Sequence, residues 1–444
     1  MVLAILRVRQ AACNMYRDYN IAWEVTESCN HNCFYCYNFW RNDLDMSCDL
    51  VGSHVDYEKM TDKLISLRPL SVAITGGEPL LVFPRIQESL ARIVNNGIFV
   101  RLLTNGSLVT EEIALFLAQH RIQVMMSFPT ADSEQFASIT KRDNYRDALI
   151  GLDLLKKHHV DVLINVVVSA VNLNNMEATA DFLIDRYGFQ TLYFSRATKP
   201  YNASAELQEK LLDNNEIQTF FDTCLRIKKR HKIDVRTCGG YAYCAIRNKK
   251  ALSIFAKGCG GGRSSFVVSN DGSLRVCGKD SQVFGNIFAS DVDQIMDRAG
   301  FWTDETAIPE ACARCQYRKQ CRGGCHMSSS EKTPQYNSLD FNADPIRGSV
   351  KISHNKRYMF LNPFRKYVIN RDATYCKTDN GNRFSNKFSF VYLSDELTDI
   401  LRSGARISLF TVVSRSGCSL NESKRLFSEM INKKIITEIS GCLR

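Results

Sequence analysis

Residues 29–36 read Cys29-Asn30-His31-Asn32-Cys33-Phe34-Tyr35-Cys36, three thiols spaced C-x3-C-x2-C with an aromatic just before the last. An iron–sulfur cluster of the [4Fe–4S] type takes four ligands, usually thiolates. Three thiolates this close can hold three irons and leave the fourth open to a substrate or cofactor. A zinc site and a disulfide framework are the plainer readings. Zinc usually asks for a fourth Cys or His at regular spacing, and His31 lies inside the turn, poorly placed for that role.

Outward from this loop the chain alternates. Residues 21–26 (Ile-Ala-Trp-Glu-Val-Thr) have the period of a strand and run straight into the cysteines. Helical pattern follows at 55–67, a strand at 71–75, and then the turn Gly76-Gly77-Glu78-Pro79. Helix–strand alternation continues through strands at 99–103, 123–128, 160–168 and 191–195, with a helix over 205–230 closing the region. Six such units predict an α/β fold, a partial (β/α)6 TIM-like barrel. The special residues sit at the C-terminal ends of strands, where such folds place their sites.

The 444 residues are 45% hydrophobic, enough for two or three domains with large cores. There is no run of eighteen apolar residues, and Met1 to Gln10 lacks the apolar length of a secretory signal. The seventeen cysteines cluster at tight spacing, which reads as metal sites in a reducing cytoplasm rather than as disulfides. A net charge of +10 without a zinc finger, long basic helix or phosphate-binding loop leaves nucleic acid a minor partner class and gives no membrane role.

The texture changes near residues 235 and 363. The expected domains are an N-terminal segment 1–20, the barrel 21–235, a cysteine-rich domain 236–362 reaching at most to Cys376, and a module 363–444. The last shows strand patterns near 366–369, 373–377 and 388–393. Helical stripes follow at Leu397/Ile400/Leu401, at Ile407/Leu409/Phe410/Val413 and at Leu426/Phe427/Met430/Ile431, a winged-helix-like arrangement. In the cysteine-rich part, Cys259, Gly272 and Cys277 give C-x12-G-x4-C, and Cys312, Cys315, Cys321 and Cys325 give C-x2-C-x5-C-x3-C. Val267 to Cys277 reads as a hairpin turning at Asn270-Asp271-Gly272, which returns Cys277 towards Cys259.

Residues 20–235 resemble the radical S-adenosylmethionine (SAM) superfamily. The resemblance rests on Cys29, Cys33 and Cys36 and on Gly76-Gly77-Glu78-Pro79 after the second strand. It implies that the open iron is chelated by the amine and carboxylate of SAM, with Glu78 an anionic partner and the backbone of Tyr35 near the adenine. Asn105 would meet the ribose or the methionine end, Ser127 is a polar position of the same kind, and Lys141 or Arg142 would meet the SAM carboxylate. The family's chemistry is reductive cleavage of SAM to a 5′-deoxyadenosyl radical that abstracts hydrogen.

The later cysteines resemble the SPASM extension of peptide-modifying radical SAM enzymes, which implies two auxiliary [4Fe–4S] clusters and three in all. Carried over, Cys259, Cys277 and Cys325 hold the first, with Cys244 as fourth ligand and Cys238 in reserve. Cys312, Cys315 and Cys321 hold the second, completed by a late cysteine, for which Cys376 fits by order. Cys13, Cys48, Cys224, Cys418 and Cys442 read as structural thiols.

SPASM enzymes imply a peptide substrate, and the C-terminal module resembles elements that bind precursor-peptide leaders by strand addition. From residue 381 onward ten Lys or Arg face six Asp or Glu. An external donor such as flavodoxin or ferredoxin would supply electrons. Sulfatase maturases carry Asp directly after the cysteine matching Cys277; here the residue is Gly278. The texture resembles enzymes that build aromatic-to-side-chain macrocycles, such as darobactin synthase and the cyclophane-forming maturases. The expectation is therefore a ribosomal-peptide (RiPP) maturase forming a C–C or ether cross-link. Thioether-forming and formylglycine-forming SPASM chemistry is the alternative, and an iron–sulfur redox or regulatory protein is the non-enzyme one.

Overall fold

The computed structural model describes residues 17–42, 55–256, 258–299, 307–329 and 339–345, with short pieces between 367 and 438. The chain divides into two compact units, one of residues 19–352 and one that contains 353–444.

The larger unit is built on one sheet. Strands β1 (Arg17–Thr26), β2 (Pro69–Gly76), β3 (Phe99–Thr104), β4 (Gln123–Ser127), β5 (Val162–Val168), β6 (Thr191–Arg196) and β7 (Asp234–Arg236) lie side by side in chain order. From β2 to β7 every neighbouring pair is parallel. On the other side of β1 come β8 (Ser265–Val268), parallel to it, then β9 (Ser273–Arg275), antiparallel to β8, and β10 (Gly285–Asn286), antiparallel to β9. The sheet does not close, so β7 and β10 are its edges. This is an α/β fold with a central parallel sheet; β7 continues the alternation one strand past the six expected, and β8 to β10 extend the sheet beyond β1.

The connecting helices are α1 (Tyr57–Leu67), α2 (Phe83–Asn95), α3 (Glu111–Gln119), α4 (Ser133–Thr140), α5 (Tyr145–Lys157), α6 (Met176–Tyr187), α7 (Ala205–Glu209) and α8 (Glu216–His231). Sequence periodicity misses α4, a short helix capped by Asp132, whose carboxylate accepts from Gln135 N at 2.8 Å. It also runs α7 and α8 together. They are separate because Asp213 and Glu216 exchange reciprocal bonds, Glu216 N to Asp213 Oδ1 at 2.8 Å and Asp213 N to Glu216 Oε2 at 2.9 Å. That capping box starts a new helix.

Strand burial places the site. Val124, Val162, Ile164, Val166, Leu192 and Phe194 are buried against the helices. Each such side chain contributes about 1.5–3 kcal/mol. Along β5 buried and half-buried residues alternate, and the half-buried Asn165 and Val167 line a cavity on the other face, with Leu103 and Met125. Near-continuous apolar strands are expected under two covered faces; one face here is a cavity wall instead.

The hairpin read at Asn270-Asp271-Gly272 is present as β8–β9, with Gly272 at φ +88°. It is tied to β1 by a buried ion pair between Arg275 and Glu24, whose carboxylate also accepts from Ser269 Oγ at 3.2 Å. Burial raises the Glu24 pKa, and Arg275 opposes that.

In the smaller unit, β11 (Tyr367–Ile369) pairs antiparallel with β15 (Ile436–Glu438), and β12 (Thr374–Thr378), β13 (Gly381–Asn386) and β14 (Ser389–Leu393) form a meander. The strand β13 was not among those read from sequence. The helical stripes expected over 397–431 fall almost wholly outside the described residues, so the winged-helix-like reading does too. Among the described residues no helix is long and apolar enough to cross a membrane.

Removing Arg275 strands a buried carboxylate. Arg275→Met is expected to lower unfolding stability by about 3–5 kcal/mol. Adding Glu24→Gln should restore part of that loss. Urea titration of the two variants reads both values, and a single-variant loss below about 1 kcal/mol would contradict the role assigned to the pair.

Candidate active site

The three-cysteine loop has little regular structure and is held from three sides. Asn32 N and Phe34 N donate to the last carbonyls of α4, Thr140 O at 2.9 Å and Ile139 O at 3.2 Å. Asn30 joins the end of β3: Asn105 Nδ2 donates to Asn30 Oδ1 at 2.8 Å, and Asn30 Nδ2 to Ser107 Oγ at 2.8 Å. Downstream, Asn38 Nδ2 donates to Gly76 O at 2.7 Å.

The turn after β2 is fixed to the same loop. Gly77 N donates to Thr26 O at 2.7 Å and Glu78 N to Ser28 O at 2.8 Å. Glu78 is 1% exposed. Its carboxylate accepts from Thr104 Oγ1 at 2.7 Å, Asn105 N at 2.8 Å and Leu80 N at 3.1 Å. Burial lifts its pKa to about 7 against those three donors. Sequence reading makes Glu78 an anionic partner for a ligand; in the fold it is first the pin that binds the glycine turn to β3.

Cys29, Cys33, Tyr35, Cys36, Gly76, Gly77, Glu78, Asn105 and Ser127 all line one cavity of about 520 Å³. Pro79 and Arg142 are not among its lining residues. Pro79 opens a short 3-10 turn. Lys141 makes a surface ion pair with Glu206 at 2.7 Å. On the cysteine-loop side of the cavity the basic residue is one that sequence reading missed, Arg41. It is buried, and its Nη2 donates to His31 O at 2.6 Å and Asn32 Oδ1 at 3.1 Å. Its buried Nη1 makes no hydrogen bond among the described residues. An anion in the cavity would satisfy that donor, and here the fold fits the SAM carboxylate or a cluster's charge. The available signal was position: Arg41 is the first cation after Cys36.

The described cysteines are free thiols, which rules out a disulfide framework among them. Burial, then the Glu78 carboxylate, pushes Cys29 up to about 12. Burial also raises Cys33 and Cys36. Metal coordination would deprotonate them. His31 is buried and pushed down to about 4 by that burial. Its Nε2 meets Asn144 Nδ2 at 2.7 Å and its Nδ1 lies 3.9 Å from Cys33 Sγ. Tyr35 packs edge-on to Phe34 with its phenol beside the thiols.

The opposite wall of the cavity carries Arg196, Cys238, Tyr241, Cys277, Gly278 and Lys279. Cys259, Cys277 and Cys325 gather around the half-buried Lys279, whose Nζ is 3.8 Å from Cys325 Sγ. Burial opposes ionisation of Cys325, but Lys279 and Arg196 outweigh it and lower its pKa. Arg196 is itself paired with the buried Asp340. Cys244, grouped with this set by sequence order, lies instead beside Cys312, Cys315 and Cys321. Cys376 sits on β12 opposite Arg383, in the smaller unit. Cys224 is a buried helix thiol, as read; Cys13, Cys48, Cys418 and Cys442 lie outside the described residues. Among the described residues no three His, Cys, Asp or Glu side chains converge on a single ion. Ligands of a four-iron cluster bind different irons and stand further apart.

Residues 23–183 match the radical SAM superfamily. The cavity's cysteine loop and glycine turn both fall inside the matched stretch, and enzymes of that superfamily hold a [4Fe–4S] cluster and SAM. Two relatives show its company. An AdoMet-dependent heme synthase of Methanosarcina barkeri is 28% identical over 342 residues, covering 71% of this chain and 93% of that protein. The antilisterial bacteriocin subtilosin biosynthesis protein AlbA of Bacillus subtilis is 24% identical, covering 69% of this chain and 66% of AlbA. Among solved structures, Streptococcus suis SuiB bound to precursor peptide SuiA has the same fold, with TM-score 0.55, 17% identity, and coverage of 71% of this chain and 74% of that one.

The Glu78 carboxyl gives a pH test of the turn. Folded, it keeps its proton up to about 7, whereas the ordinary value is 4.5. The folded state therefore binds more protons in that window, and stability contributed by Glu78 falls as pH rises through it. Glu78→Gln should flatten the decline. Unfolding midpoints across the window read this, and parallel curves for the two proteins would refute a buried, protonatable Glu78.

Proposed function

We propose that the protein is a radical SAM peptide maturase. It takes a hydrogen from a side chain of a ribosomally made precursor and closes an intramolecular cross-link, a C–C or ether macrocycle that includes an aromatic residue. The observation that carries this reading is the shared cavity. Cys29, Cys33 and Cys36 face it from one wall and the Cys277-Gly278-Lys279 segment from the other. A substrate side chain between them meets both the radical source and the cysteine-rich region.

Cys29, Cys33 and Cys36 would hold a [4Fe–4S] cluster and SAM would complete it; bound and reduced, this pair supplies a 5′-deoxyadenosyl radical. The chain's own residues do the rest. Arg41 presents an unpaired buried donor to an anion, and Glu78 holds the glycine turn against the cysteine loop. Asn105 is engaged with Asn30 and Ser107, so it orients the loop as well as facing the cavity. Ser127 and the Tyr35 backbone line the remaining SAM side. Cross-linking removes two hydrogens from the peptide, and Arg196 and Lys279 place positive charge where the leftover electron must go.

AlbA's role in bacteriocin biosynthesis and the SuiB–SuiA complex support a precursor peptide as substrate, with the C-terminal module as leader-binding element and a flavodoxin or ferredoxin as donor. Gly278 speaks against formylglycine chemistry. A Cβ there would stand 3.1 Å from the Tyr37 ring and 3.8 Å from Glu24, so an Asp at this position is crowded. A heme-synthase-like activity is the second reading, favoured by the Methanosarcina relative.

The test is to search the reading frames beside the gene for a short peptide and to incubate reduced, reconstituted protein anaerobically with SAM and that peptide. The expected products are 5′-deoxyadenosine and a peptide lighter by two hydrogens. Absence of deoxyadenosine refutes a radical enzyme, and deoxyadenosine with unaltered peptide refutes the peptide reading. Cys29, Cys33 and Cys36 changed together to Ala should abolish SAM cleavage with an unchanged circular-dichroism spectrum. Three clusters predict about twelve irons per chain; four would remove both auxiliary sites.

A further inference from the structure

Spacing assigns the cysteines by their order along the chain, and the fold assigns them differently. Cys244 stands in a short 3-10 turn, Tyr243–Ala245, immediately after the buried Tyr241 and Ala242. That turn is stitched to the 312–321 segment. Tyr243 N donates to Cys321 Sγ at 3.3 Å, Cys321 Sγ lies 3.9 Å from Tyr241 O, and the rings of Tyr243 and Tyr317 are 6.0 Å apart. Gly324 lets the chain in, since a Cβ there would lie 2.6 Å from Ala242 N. The thiolate-stabilising donors are in place as well: Asp344 N reaches Cys244 Sγ at 3.2 Å and Tyr317 N reaches Cys315 Sγ at 3.4 Å.

We propose that Cys244, Cys312, Cys315 and Cys321 form a complete four-thiolate cluster site within residues 19–352, which needs no ligand from Cys376. Cys244 and Cys315 lie within electrostatic reach of Cys312, and Cys244 and Cys312 within reach of Cys321. Cys312 and Cys321 are buried and Cys244 and Cys315 half-buried, and a cluster's iron is the charge that would hold four such thiolates side by side. The assignment leaves Cys259, Cys277 and Cys325 without Cys244. Their remaining ligand position belongs to the cavity side, where Cys277 and Cys238 both lie.

This inference rests on the auxiliary-cluster part of the proposed function, but its test needs no peptide. Full-length protein is reconstituted with iron and sulfide, and the reduced clusters are resolved by electron paramagnetic resonance alongside iron counts. Cys244→Ala and Cys321→Ala should alter the same auxiliary signal, and the double variant should lose no more iron than the worse single one. Cys277→Ala should alter the other signal, and Cys376→Ala neither. Uncoupled SAM cleavage to deoxyadenosine serves as the folding control for each variant, with Cys244→Ser used where the alanine form does not accumulate. The proposal is overturned if Cys244 variants alter the signal shared with Cys277, if Cys376→Ala alters the signal of Cys321, or if the iron losses of Cys244 and Cys321 variants add. A peptide left unprocessed while these signals behave as stated would refute the substrate and leave the ligand set standing.

Discussion

Everything at the site depends on two backbones passing at a distance that only glycine permits. Gly76 has φ +123°, and a Cβ on it would lie 2.2 Å from Thr26 O; a Cβ on Gly77 would lie 1.9 Å from Ser28 O. Those contacts are backbone on backbone, so no rotamer change relieves them. The approach allows Gly77 N and Glu78 N to bond the chain just before Cys29. The end of β2 thereby fixes where the cysteine loop starts. Glycine is needed here to fit the protein to itself, before any ligand enters.

From that contact the constraint spreads through polar groups sealed from water. Glu78 carries it to Thr104 and Asn105, and Asn105 returns it to Asn30 inside the loop. Buried networks of this kind are costly if one partner is missing and rigid when all are satisfied. The loop has no ladder of its own; its shape is a sum of bonds to β2, β3 and α4. Such a scaffold holds three thiols in fixed relation while the fourth direction stays open to the cavity.

What sequence carries is local. The thiol spacing, the glycine turn and most strand and helix bounds follow from residue types a few positions apart. The helix read at 55–67, for instance, follows from its own apolar period and stands in the structure at Tyr57–Leu67. What it does not carry is who meets whom. Arg41 obeys no spacing rule and matters because a 3-10 turn folds it back over His31 and Asn32. Helix α4 is too short for a clear period, yet its last carbonyls hold the cysteine loop. The edge strand β7 has three residues, too few to alternate visibly. Cys244 precedes Cys259 by fifteen residues and so was grouped with it by order, whereas the turn at Tyr243 takes it to Cys321 instead.

The two later thiol groups also differ in what surrounds them, and that difference follows from burial. Cys259, Cys277 and Cys325 enclose the ammonium of Lys279, with the Arg196 guanidinium beyond it and within electrostatic reach of Cys325. Cations partly shielded from water beside thiols interact at lower effective dielectric than in bulk water and so weigh more. Arg196 stays there because Asp340 and Asn342 hold it from the other side. The Cys244 group has backbone N–H donors at Cys244, Cys315 and Cys321. Positive charge favours whichever state of a bound group is more negative, which is the reduced one. Were a cluster bound there, the group that shares the cavity with Cys29, Cys33 and Cys36 would be the one with cations beside it to favour an added electron.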